Sequence, residues 1–165
     1  MYQETLVILK PDALERDLVG VLIDRFERAG LKVLDIRYYA RVDEGFLRRH
    51  YPYSMAESLG RKAQLAVPGI RDPVAQGKKI LVRLRRYFTR GPVIAVKFGG
   101  EDAIQVVRKV TGYTDPATAE KGTIRGDYGA DSIAKSTAEE RALENLVHAS
   151  GNPEEAKAEL TLWFS

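Results

Sequence analysis

The spacing of apolar residues in the N-terminal part of the chain predicts a strand, a helix and a second strand. Residues 5–9 form a strand-length run, apolar after its threonine, that ends at Lys10-Pro11-Asp12, where the proline blocks further strand pairing. From Asp17 to Gly30, apolar residues recur every three or four positions, which predicts an amphipathic helix with Asp17 as its cap. Residues 31–40 are rich in strand formers and predict the second strand.

The middle of the chain predicts further helices and a less regular segment. A short helix starts at Asp43 and runs through His50, and residues 79–89 have helical spacing up to Gly91-Pro92. Between these helices, residues 54–76 combine a weak helical pattern with several prolines and glycines. This mixture predicts an inserted excursion on the protein surface.

A third strand and a long loop follow. Residues 93–98 predict a strand that Gly99-Gly100 closes, and a helix starts at Glu101-Asp102. The polar, Gly- and Pro-containing loop at residues 112–127 is too long to be an incidental connection. Loops of this length usually bind something, so we expect it to line a binding site.

The remaining elements complete a mixed fold. A serine or threonine at 136–137 followed by a glutamate at 139–140 predicts a capping box that opens a short helix to Glu144. A further strand and a closing helix over residues 153–163 come next. Together these elements predict an α+β, ferredoxin-like sandwich in which helices cover a four-stranded antiparallel sheet. This architecture alone fixes no function, because enzymes, RNA binders and regulatory domains share it.

The predicted last strand ends near His148, one of only two histidines in the chain. Leu146 and Val147 are its apolar residues, and Gly151-Asn152-Pro153 stops it and opens a helix with Asn152 as N-cap and Glu155 at the third helical position. The unpaired amides and the dipole of a helix start favour an anion nearby. His148 is therefore either a catalytic group or a hydrogen-bonded structural histidine below a loop.

Length and composition indicate one domain without cysteine chemistry. The 165 residues suffice for a single domain with its own core. The chain has no cysteine, which excludes disulfides and thiolate metal sites and fits a reducing compartment. No apolar run approaches the roughly 20 residues that span a bilayer, and the first residues lack the pattern of a signal peptide. We therefore expect a cytoplasmic protein without a membrane partner.

Charge is concentrated in one segment. Lys and Arg number 26 against 23 acidic residues, but residues 61–90 hold nine basic residues and one acidic residue, Asp72. This segment is either a phosphate- or nucleic-acid-binding surface or a solvated helix face that helps incoming anions. We favour the solvated face, because neither interleaved aromatic residues nor an RNP-type motif accompanies the charges.

A set of short motifs keeps the order and nearly the spacing of one enzyme family. The motifs are Leu9-Lys10-Pro11-Asp12, His50-Tyr51, Gly91-Pro92-Val93, Arg108, Gly112-x-Thr114-x-Pro116, Gly122-Thr-Ile-Arg-Gly-Asp127, Asn145-x-x-His148-x-Ser150 and Glu159-x-x-x-Trp163-Phe164. Together they resemble the nucleoside diphosphate kinase family. Relative to that pattern we expect a single domain over residues 1–165, with a helical insertion at about 54–78 and a second insertion at about 129–143.

The resemblance implies a ping-pong kinase that transfers the γ-phosphoryl group from a nucleoside triphosphate to a nucleoside diphosphate. A nucleophile for this step must be unprotonated near neutral pH and form a reactive phosphorylated intermediate, as an imidazole can. The resemblance gives this role to His148, which would become a phosphohistidine. Glu159 would fix its tautomer and orientation, and Ser150 would support that glutamate.

The resemblance also implies a nucleotide site in the long loop and around it. Its residues would be the phosphate-binding Lys10, Tyr51, Arg108, Thr114 and Arg125, the ribose-binding Asn145 and the base-contacting Leu84. Tyr51 and Lys10 would also act in catalysis. Mg²⁺ would arrive with the nucleotide, bridging its phosphates and largely hydrated, so that few protein ligands are needed.

The chain departs from the family pattern in three places. Ala149 and Gly151 follow the histidine where the family usually has glycine and aspartate, which changes the entry of the closing helix. The position of the aromatic residue that clamps the base aligns best with Ile80, which has no ring. The family's tail beyond the tryptophan is also missing here.

A homo-oligomer is implied by resemblance only. The alternative function is a non-enzymatic nucleotide- or nucleic-acid-binding module that uses the basic segment at 61–90. The intact set of His148, Lys10, Arg108, Arg125 and Glu159 favours the kinase, and nucleic acid is the less favoured partner. The absence of a Walker A or GxGxxG motif argues against a P-loop or protein-kinase mechanism.

Overall fold

One four-stranded sheet supports the helices of this protein, and the computed structural model describes every residue from 1 to 165. In chain order the elements are β1 (Tyr2–Leu9), α1 (Pro11–Glu15), α2 (Val19–Arg28), β2 (Lys32–Tyr39), α3 (Glu44–His50), a 3-10 turn (Tyr53–Met55), α4 (Ala56–Ala66), α5 (Pro73–Phe88), β3 (Val93–Glu101), α6 (Ala103–Thr111), α7 (Ile124–Tyr128), α8 (Ile133–Ala138), β4 (Val147–Ala149) and α9 (Pro153–Trp163). None of the helices has the length and apolar content that crossing a membrane requires.

The sheet has the strand order β2-β3-β1-β4, and every neighbouring pair is antiparallel. β1 is a central strand whose residues Leu6, Val7, Ile8 and Leu9 are fully buried. Both of its faces are covered by helices, which explains its continuous rather than alternating apolar run. β4 pairs His148 with Ile8 and so fixes the histidine beside the end of the central strand. The predicted α+β, ferredoxin-like sandwich with a four-stranded antiparallel sheet is confirmed.

The two faces of the sheet carry two hydrophobic clusters. On one face, Leu6 and Ile8 belong to a cluster with residues of α3, α5 and α9, including Trp163. On the other face, Val7 and Leu9 belong to a cluster with residues of α2 and α6. Burial of each large apolar side chain contributes about 1.5–3 kcal/mol to the free energy of folding, relative to leaving that side chain in water. Successive side chains of β1 point to opposite faces of the sheet, so this one strand packs against both helical layers.

The start of the first long helix differs from the prediction. Pro11 ends β1, but it also occupies the first turn of the short helix α1, where its missing N–H needs no partner. The chain then passes through Asp17 with a φ of 55°, and α2 begins at Val19. Asp17 is therefore not the predicted helix cap, because its backbone forms the left-handed turn between α1 and α2.

β3 is longer than predicted because it includes Gly99 and Gly100. Gly99 pairs with Glu4 of β1, and a Cβ atom at Gly99 would lie 2.3 Å from the hydroxyl oxygen of Tyr2. The glycine thus leaves room for the tyrosine side chain to lie across the strand. The prediction that the glycine pair closes the strand is wrong, since pairing with β1 continues to Glu101.

The short helix after the long loop begins earlier than predicted. Ser132 is the N-cap of α8, and its side chain accepts a hydrogen bond from a backbone N–H three residues later. Ser136 lies inside the helix, where its Oγ donates to the carbonyl of Ile133 at 3.1 Å. The predicted capping box at 136–140 and the helix to Glu144 are therefore wrong. The serine directly before the apolar residue provides the cap instead.

Residues 54–76, predicted as a surface excursion, contribute to a closely packed helix pair. A Cβ atom at Gly60 in α4 would lie 1.6 Å from the carbonyl oxygen of Pro73 in α5. A Cβ atom at Gly77 in α5 would likewise lie 1.6 Å from the carbonyl oxygen of Ala56 in α4. The two backbones come this close only because both positions lack a side chain.

Gly60→Ala and Gly77→Ala are each expected to reduce the free energy of unfolding. The added methyl group must push the α4 and α5 backbones apart, and such overpacking costs about 1–3 kcal/mol or more. Urea unfolding measures the effect. Gly20→Ala in α2 is the control, because nothing lies within 4 Å of the new methyl group. That change is expected to stabilise the helix by about 0.5–1 kcal/mol. Equal stability of all three variants would contradict the packing described.

Candidate active site

His148 is held by a carboxylate on one side and open on the other. Its Nε2 atom lies 2.7 Å from Oε2 of Glu159, which comes from α9. A neutral imidazole in this contact places its proton on Nε2 and keeps the lone pair on Nδ1. Nδ1 is therefore the nitrogen available for chemistry, and His148 lines a cavity whose wall carries many polar side chains.

Glu159 is itself fixed by Ser150. The Ser150 Oγ, fully buried, donates to Oε2 of Glu159 at 3.0 Å. Burial alone would raise the pKa of Glu159, but the neighbouring His148 and the hydrogen bonds from His148 and Ser150 lower the pKa below its usual value. The glutamate therefore stays ionised beside the histidine at neutral pH.

The start of α9 is built as predicted. Asn152 is the N-cap and accepts from the backbone N–H of Glu155 at 2.9 Å, while Oε2 of Glu155 accepts from the backbone N–H of Gly151 at 2.8 Å. A Cβ atom at Gly151 would lie 2.6 Å from that carboxylate oxygen, so glycine fits the reciprocal capping here. Ala149 lies in β4 opposite Val7, where an extended backbone accepts any residue. Both departures from the family pattern are therefore compatible with the site.

His50 is a site residue whose structural role the sequence analysis missed. Trp163 donates from Nε1 to Nδ1 of His50 at 3.2 Å, and the His50 ring meets the His148 ring edge-on with centroids 4.6 Å apart. Burial, followed by the charge on His148, lowers the pKa of His50 to about 3. Its Nε2 atom is buried without a hydrogen-bond partner. The only earlier signal was its place in the His50-Tyr51 motif.

His50, His148 and Glu159 do not form a suitable metal site. Their potential ligand atoms lie within 4.8 Å of one another, which is a necessary condition for binding one ion. However, Nδ1 of His50 accepts a hydrogen bond from Trp163, so the neutral ring carries its proton on Nε2. A protonated nitrogen has no lone pair for a metal. The cluster instead supports His148, through the hydrogen bond to Glu159 and the packed ring of His50.

Lys10 and Asn145 are joined in the interior of the site. The Lys10 Nζ donates to Oδ1 of Asn145 at 2.7 Å, and Nδ2 of Asn145 donates to the carbonyl of Thr114 at 2.9 Å. Burial, followed by the charge on Arg125, lowers the pKa of Lys10 to about 7. The lysine is thus a desolvated cation without a carboxylate ion pair.

Arg125 supports the backbone around the site. Its guanidinium donates to the carbonyls of Gly112 at 3.2 Å, Asn145 at 3.2 Å and Val147 at 2.6 Å. Burial, followed by the charge on Arg108, lowers the pKa of Arg125 to about 10, so the side chain remains charged at neutral pH. One arginine therefore ties the long loop to the strand that carries the histidine.

A strained residue sets the path of the chain just before His148. Leu146 has a φ of 73°, a left-handed conformation that costs a large side chain about 1–3 kcal/mol. Oδ2 of Asp12 accepts from its backbone N–H at 3.1 Å, and the same carboxylate accepts from the hydroxyl of Tyr87. Leu146 therefore precedes β4 instead of belonging to it as predicted. Neither this contact nor the role of Asp12 was foreseen from the sequence.

Most of the predicted site residues line one cavity of about 410 Å³. The predicted residues on its wall are Lys10, Tyr51, Leu84, Arg108, Thr114, Arg125, Asn145 and His148. Glu159 and Ser150 lie behind His148 rather than on the wall. The structure thus brings together all ten predicted residues, and their roles toward a nucleotide stay predictions.

The outer part of the cavity is apolar. Leu59 of α4 and Ile80 and Leu84 of α5 contribute to its wall, together with Ile133 of α8. Apart from the imidazole of His148, the only aromatic ring among the lining residues is that of Tyr51, which lies beside it. The predicted alignment of Ile80 with the aromatic base clamp therefore agrees with a wall of aliphatic side chains.

Comparison with known proteins decides the family. The sequence model of the nucleoside diphosphate kinase family matches residues 3–60 and 73–165. The chain belongs to the nucleoside diphosphate kinase family. The match omits residues 61–72, which lie within the insertion predicted at 54–78. The extent of that insertion and of the one at 129–143 stays a prediction.

Several nucleoside diphosphate kinases are similar over nearly the whole chain. A relative from Pyrobaculum aerophilum is 41% identical, with 98% of this chain and 94% of the relative covered. A relative from Pyrococcus furiosus is 36% identical, with 98% and 83% covered. The crystal structure of an NDP kinase from Pyrobaculum aerophilum matches with a TM-score of 0.93 and 39% identity, covering 100% of this chain and 97% of that one.

A further structural relative carries a bound nucleotide. It is a transition-state mimic of the nucleoside diphosphate kinase from Borrelia burgdorferi with vanadate and ADP. It is 32% identical, with a TM-score of 0.83, and the match covers 99% of this chain and 88% of that one. The nucleoside diphosphate kinase fold found here is therefore shared with a relative that holds vanadate and ADP.

The neutral state of His50 predicts how stability depends on pH. The pKa of His50 is about 3 in the folded protein against an ordinary 6.5. Between these two pH values, His50 is therefore protonated in the unfolded chain and neutral in the folded protein. Stability from this group is present above pH 6.5 and is lost as the pH falls toward 3. Its contribution to the slope approaches about 1.4 kcal/mol per pH unit.

Urea unfolding between pH 7 and pH 4, followed by the fluorescence of the only tryptophan, Trp163, measures this slope. The control is His50→Gln, which cannot take up the proton, while every other titratable side chain is the same in both proteins. The variant is expected to lose stability more gradually as the pH falls. Parallel slopes for the two proteins would show that His50 titrates normally.

Proposed function

We propose that this protein is a nucleoside diphosphate kinase that transfers the γ-phosphoryl group through a phosphohistidine on Nδ1 of His148. The observation that carries the proposal is the 2.7 Å contact between Nε2 of His148 and Glu159, which leaves Nδ1 free on the cavity wall. Lys10, Arg108 and Arg125 line the same cavity. Membership of the nucleoside diphosphate kinase family and the Borrelia burgdorferi relative with vanadate and ADP support this activity.

The first half-reaction uses the lone pair of Nδ1. A P–N bond forms between Nδ1 and the γ-phosphorus, the bond to the β-phosphate oxygen breaks, and the nucleoside diphosphate leaves. The ring becomes cationic while Nε2 keeps its proton, and the ionised Glu159 stabilises that charge. The second half-reaction reverses these bond changes with another nucleoside diphosphate. No net proton transfer is required in either direction.

Positive charge and hydroxyl groups surround the transferring phosphoryl group. Lys10, with its pKa lowered to about 7, gains a full charge when phosphate oxygens approach, because the anion offsets its desolvation. Burial raises the pKa of Tyr51, so its hydroxyl stays protonated and donates. Arg108, Arg125 and Thr114 provide the remaining donors on the cavity wall.

Magnesium fits this site as a companion of the nucleotide. The only carboxylate lining the cavity is Glu155, and its oxygens accept from Gly151 and Asn152 at the start of α9. Phosphate oxygens and water would therefore hold the ion, as suits the preference of Mg²⁺ for a hydrated octahedral shell. When bound, it neutralises phosphate charge and orients the phosphate chain.

The nucleoside lies toward the apolar wall in this proposal. Asn145 would contact the ribose, and the base would lie against Leu84 and Ile80. Aliphatic side chains contact any base without hydrogen bonds to its edges, which suits a kinase that accepts several nucleotides.

The basic segment at 61–90 does not support the nucleic-acid alternative. Arg85 is buried and donates to the carbonyl of Tyr51 at 2.6 Å, whereas Arg61 and Arg90 are held in ion pairs. Nucleic-acid binding needs a continuous face of free basic side chains, and these three side chains are already paired within the chain. Salt-sensitive oligonucleotide binding without phosphoryl transfer would favour that alternative.

We also propose a homo-oligomer in the cytoplasm. β2 is an edge strand, and its side chains Leu34, Ile36 and Tyr38 are exposed. An edge strand with exposed apolar residues is a pairing surface that a second copy can cover. The absence of cysteine suits a reducing compartment. Light scattering of the purified protein tests the assembly, and a monomer at micromolar concentration would contradict it.

His148→Ala is expected to abolish the phosphorylated enzyme and the exchange activity. Purified protein is incubated with radiolabelled ATP and Mg²⁺, and acid-labile, base-stable phosphate on the protein is measured together with the transfer to a second nucleoside diphosphate. His50→Gln is the control histidine variant and is expected to retain the phosphohistidine. The mechanism is wrong if His148→Ala keeps wild-type exchange activity.

Glu159→Gln is expected to slow phosphorylation of His148 by about 10- to 100-fold, the usual loss when a supporting carboxylate is replaced. The amide cannot stabilise the cationic ring, although its size is retained. The measurement is the single-turnover rate of protein phosphorylation at saturating ATP. Glu154→Gln, on the exposed first turn of the same helix, is the matched control and is expected to react at the wild-type rate. Equal phosphorylation rates for the wild type, Glu159→Gln and Glu154→Gln would show that Glu159 has no role in the transfer.

A further inference from the structure

The nine basic residues of segment 61–90 have different surroundings, and only two of them line the cavity. These two are Lys62 of α4 and Arg83 of α5. Arg83 lies 3.7 Å from the carboxylate of Glu140. Lys62 has neither an ion pair nor a side-chain hydrogen bond, whereas its neighbour Arg61 pairs with Glu57 at 2.6 Å. Lys62 is therefore the cation of this segment that has a binding cavity before it and no partner within the chain.

Lys62 shares the cavity wall with Arg108 and Arg125. Burial, followed by the charges on Arg108 and Arg125, lowers the pKa of Lys62, and only Glu155 opposes this effect. Glu155 is already used in capping α9. These three cations thus face one cavity whose only carboxylate is engaged elsewhere, an arrangement that an anion stabilises.

The backbone that carries Lys62 is firmly held. Gly60 lies against the carbonyl of Pro73, and Ala63 of the same helix is buried. Leu59 and Ala63 line the cavity together with Lys62, so this face of α4 is turned toward the site. A lysine on a fixed helix needs only side-chain motion to reach a ligand, which keeps the cost of binding low.

We propose that Lys62 is a nucleotide-binding residue that pairs with the phosphates that stay on the nucleoside. This inference rests on the proposed kinase function and adds a residue to it. Lys62 lies on the same helix face as the apolar Leu59, whereas Lys10 lies at the end of β1 near His148. In this proposal the phosphate chain, which runs from the apolar wall to His148, passes Lys62 before it reaches the transferring position.

Lys62 is not part of the matched family pattern. It falls in residues 61–72, which the family model omits. The inserted stretch therefore supplies a phosphate contact of its own rather than only lengthening a surface helix. This assignment also explains one basic residue of a segment that the transfer mechanism otherwise leaves unused.

The test measures ADP binding in the presence of Mg²⁺ by calorimetry, with adenosine as the ligand that has no phosphates. Lys62→Ala is expected to raise the Kd for ADP about 5- to 20-fold, as for the loss of one charge-assisted contact. Its affinity for adenosine is expected to match that of the wild type. Lys62→Arg, which keeps the charge, is expected to restore ADP affinity to within about threefold.

Arg61→Ala is the matched control, because it removes an equal charge one residue away on the exposed, ion-paired side of α4. It is expected to bind ADP within about twofold of the wild type. In steady-state assays Lys62→Ala is expected to raise KM while kcat at saturating nucleotide stays within about twofold, since the contact is made equally before and during transfer.

Two results would overturn the proposal while leaving the kinase function intact. One is wild-type ADP affinity in Lys62→Ala; if kcat also fell in that variant, Lys62 would act on the transferring group instead. The other is equal weakening of ADP binding by Lys62→Ala and Arg61→Ala, because the effect would then be general charge attraction. Failure of the wild type itself to bind ADP or form a phosphohistidine would overturn the proposed function first.

Discussion

The hydrogen bond between Nε2 of His148 and Glu159 is the constraint on which the site depends. It decides which ring nitrogen carries the proton, and therefore which nitrogen is a nucleophile. The bond requires two distant elements to meet, because His148 lies in the short strand β4 and Glu159 lies in α9. Ser150 fixes the carboxylate, and the ring of His50 packs against the His148 ring from the buried side. The sheet and the closing helix thus orient one imidazole.

The second constraint is positive charge held out of water. Lys10 and Arg125 are buried, with pKa values lowered to about 7 and about 10. Backbone carbonyls accept hydrogen bonds from Arg125 and Asn145 accepts one from Lys10, but no carboxylate ion pair neutralises either side chain. The uncompensated positive charges repel one another, and a bound anion reduces this repulsion. Binding of a phosphate group therefore also raises the stability of the folded protein. Arg108 and Lys62, which are exposed to solvent, add positive charge to the same cavity wall.

The sequence predicts those parts of the structure whose signals are local. The Asn152 cap of α9 acts over three residues, so the pattern around it is sufficient to locate the helix start. Motif resemblance named ten residues that the structure brings together, although spacing alone could not place them around one cavity. The contacts between His50 and Trp163 and between Asp12 and Leu146 were missed because they join residues 113 and 134 positions apart. Tertiary packing brings these residues together, and the periodicity of apolar residues along the sequence does not predict such contacts.

The central claim is that Nδ1 of His148 carries the phosphoryl group. The most direct measurement is the NMR spectrum of protein labelled with ¹⁵N in its two histidines, recorded before and after reaction with ATP and Mg²⁺. The structure predicts phosphorus–nitrogen coupling at Nδ1 of His148 alone, with Nε2 still protonated beside Glu159. His50 is predicted to keep its proton on Nε2 throughout. A phosphoryl group on Nε2 of His148 or on His50, or no phosphorylated histidine, would contradict the account.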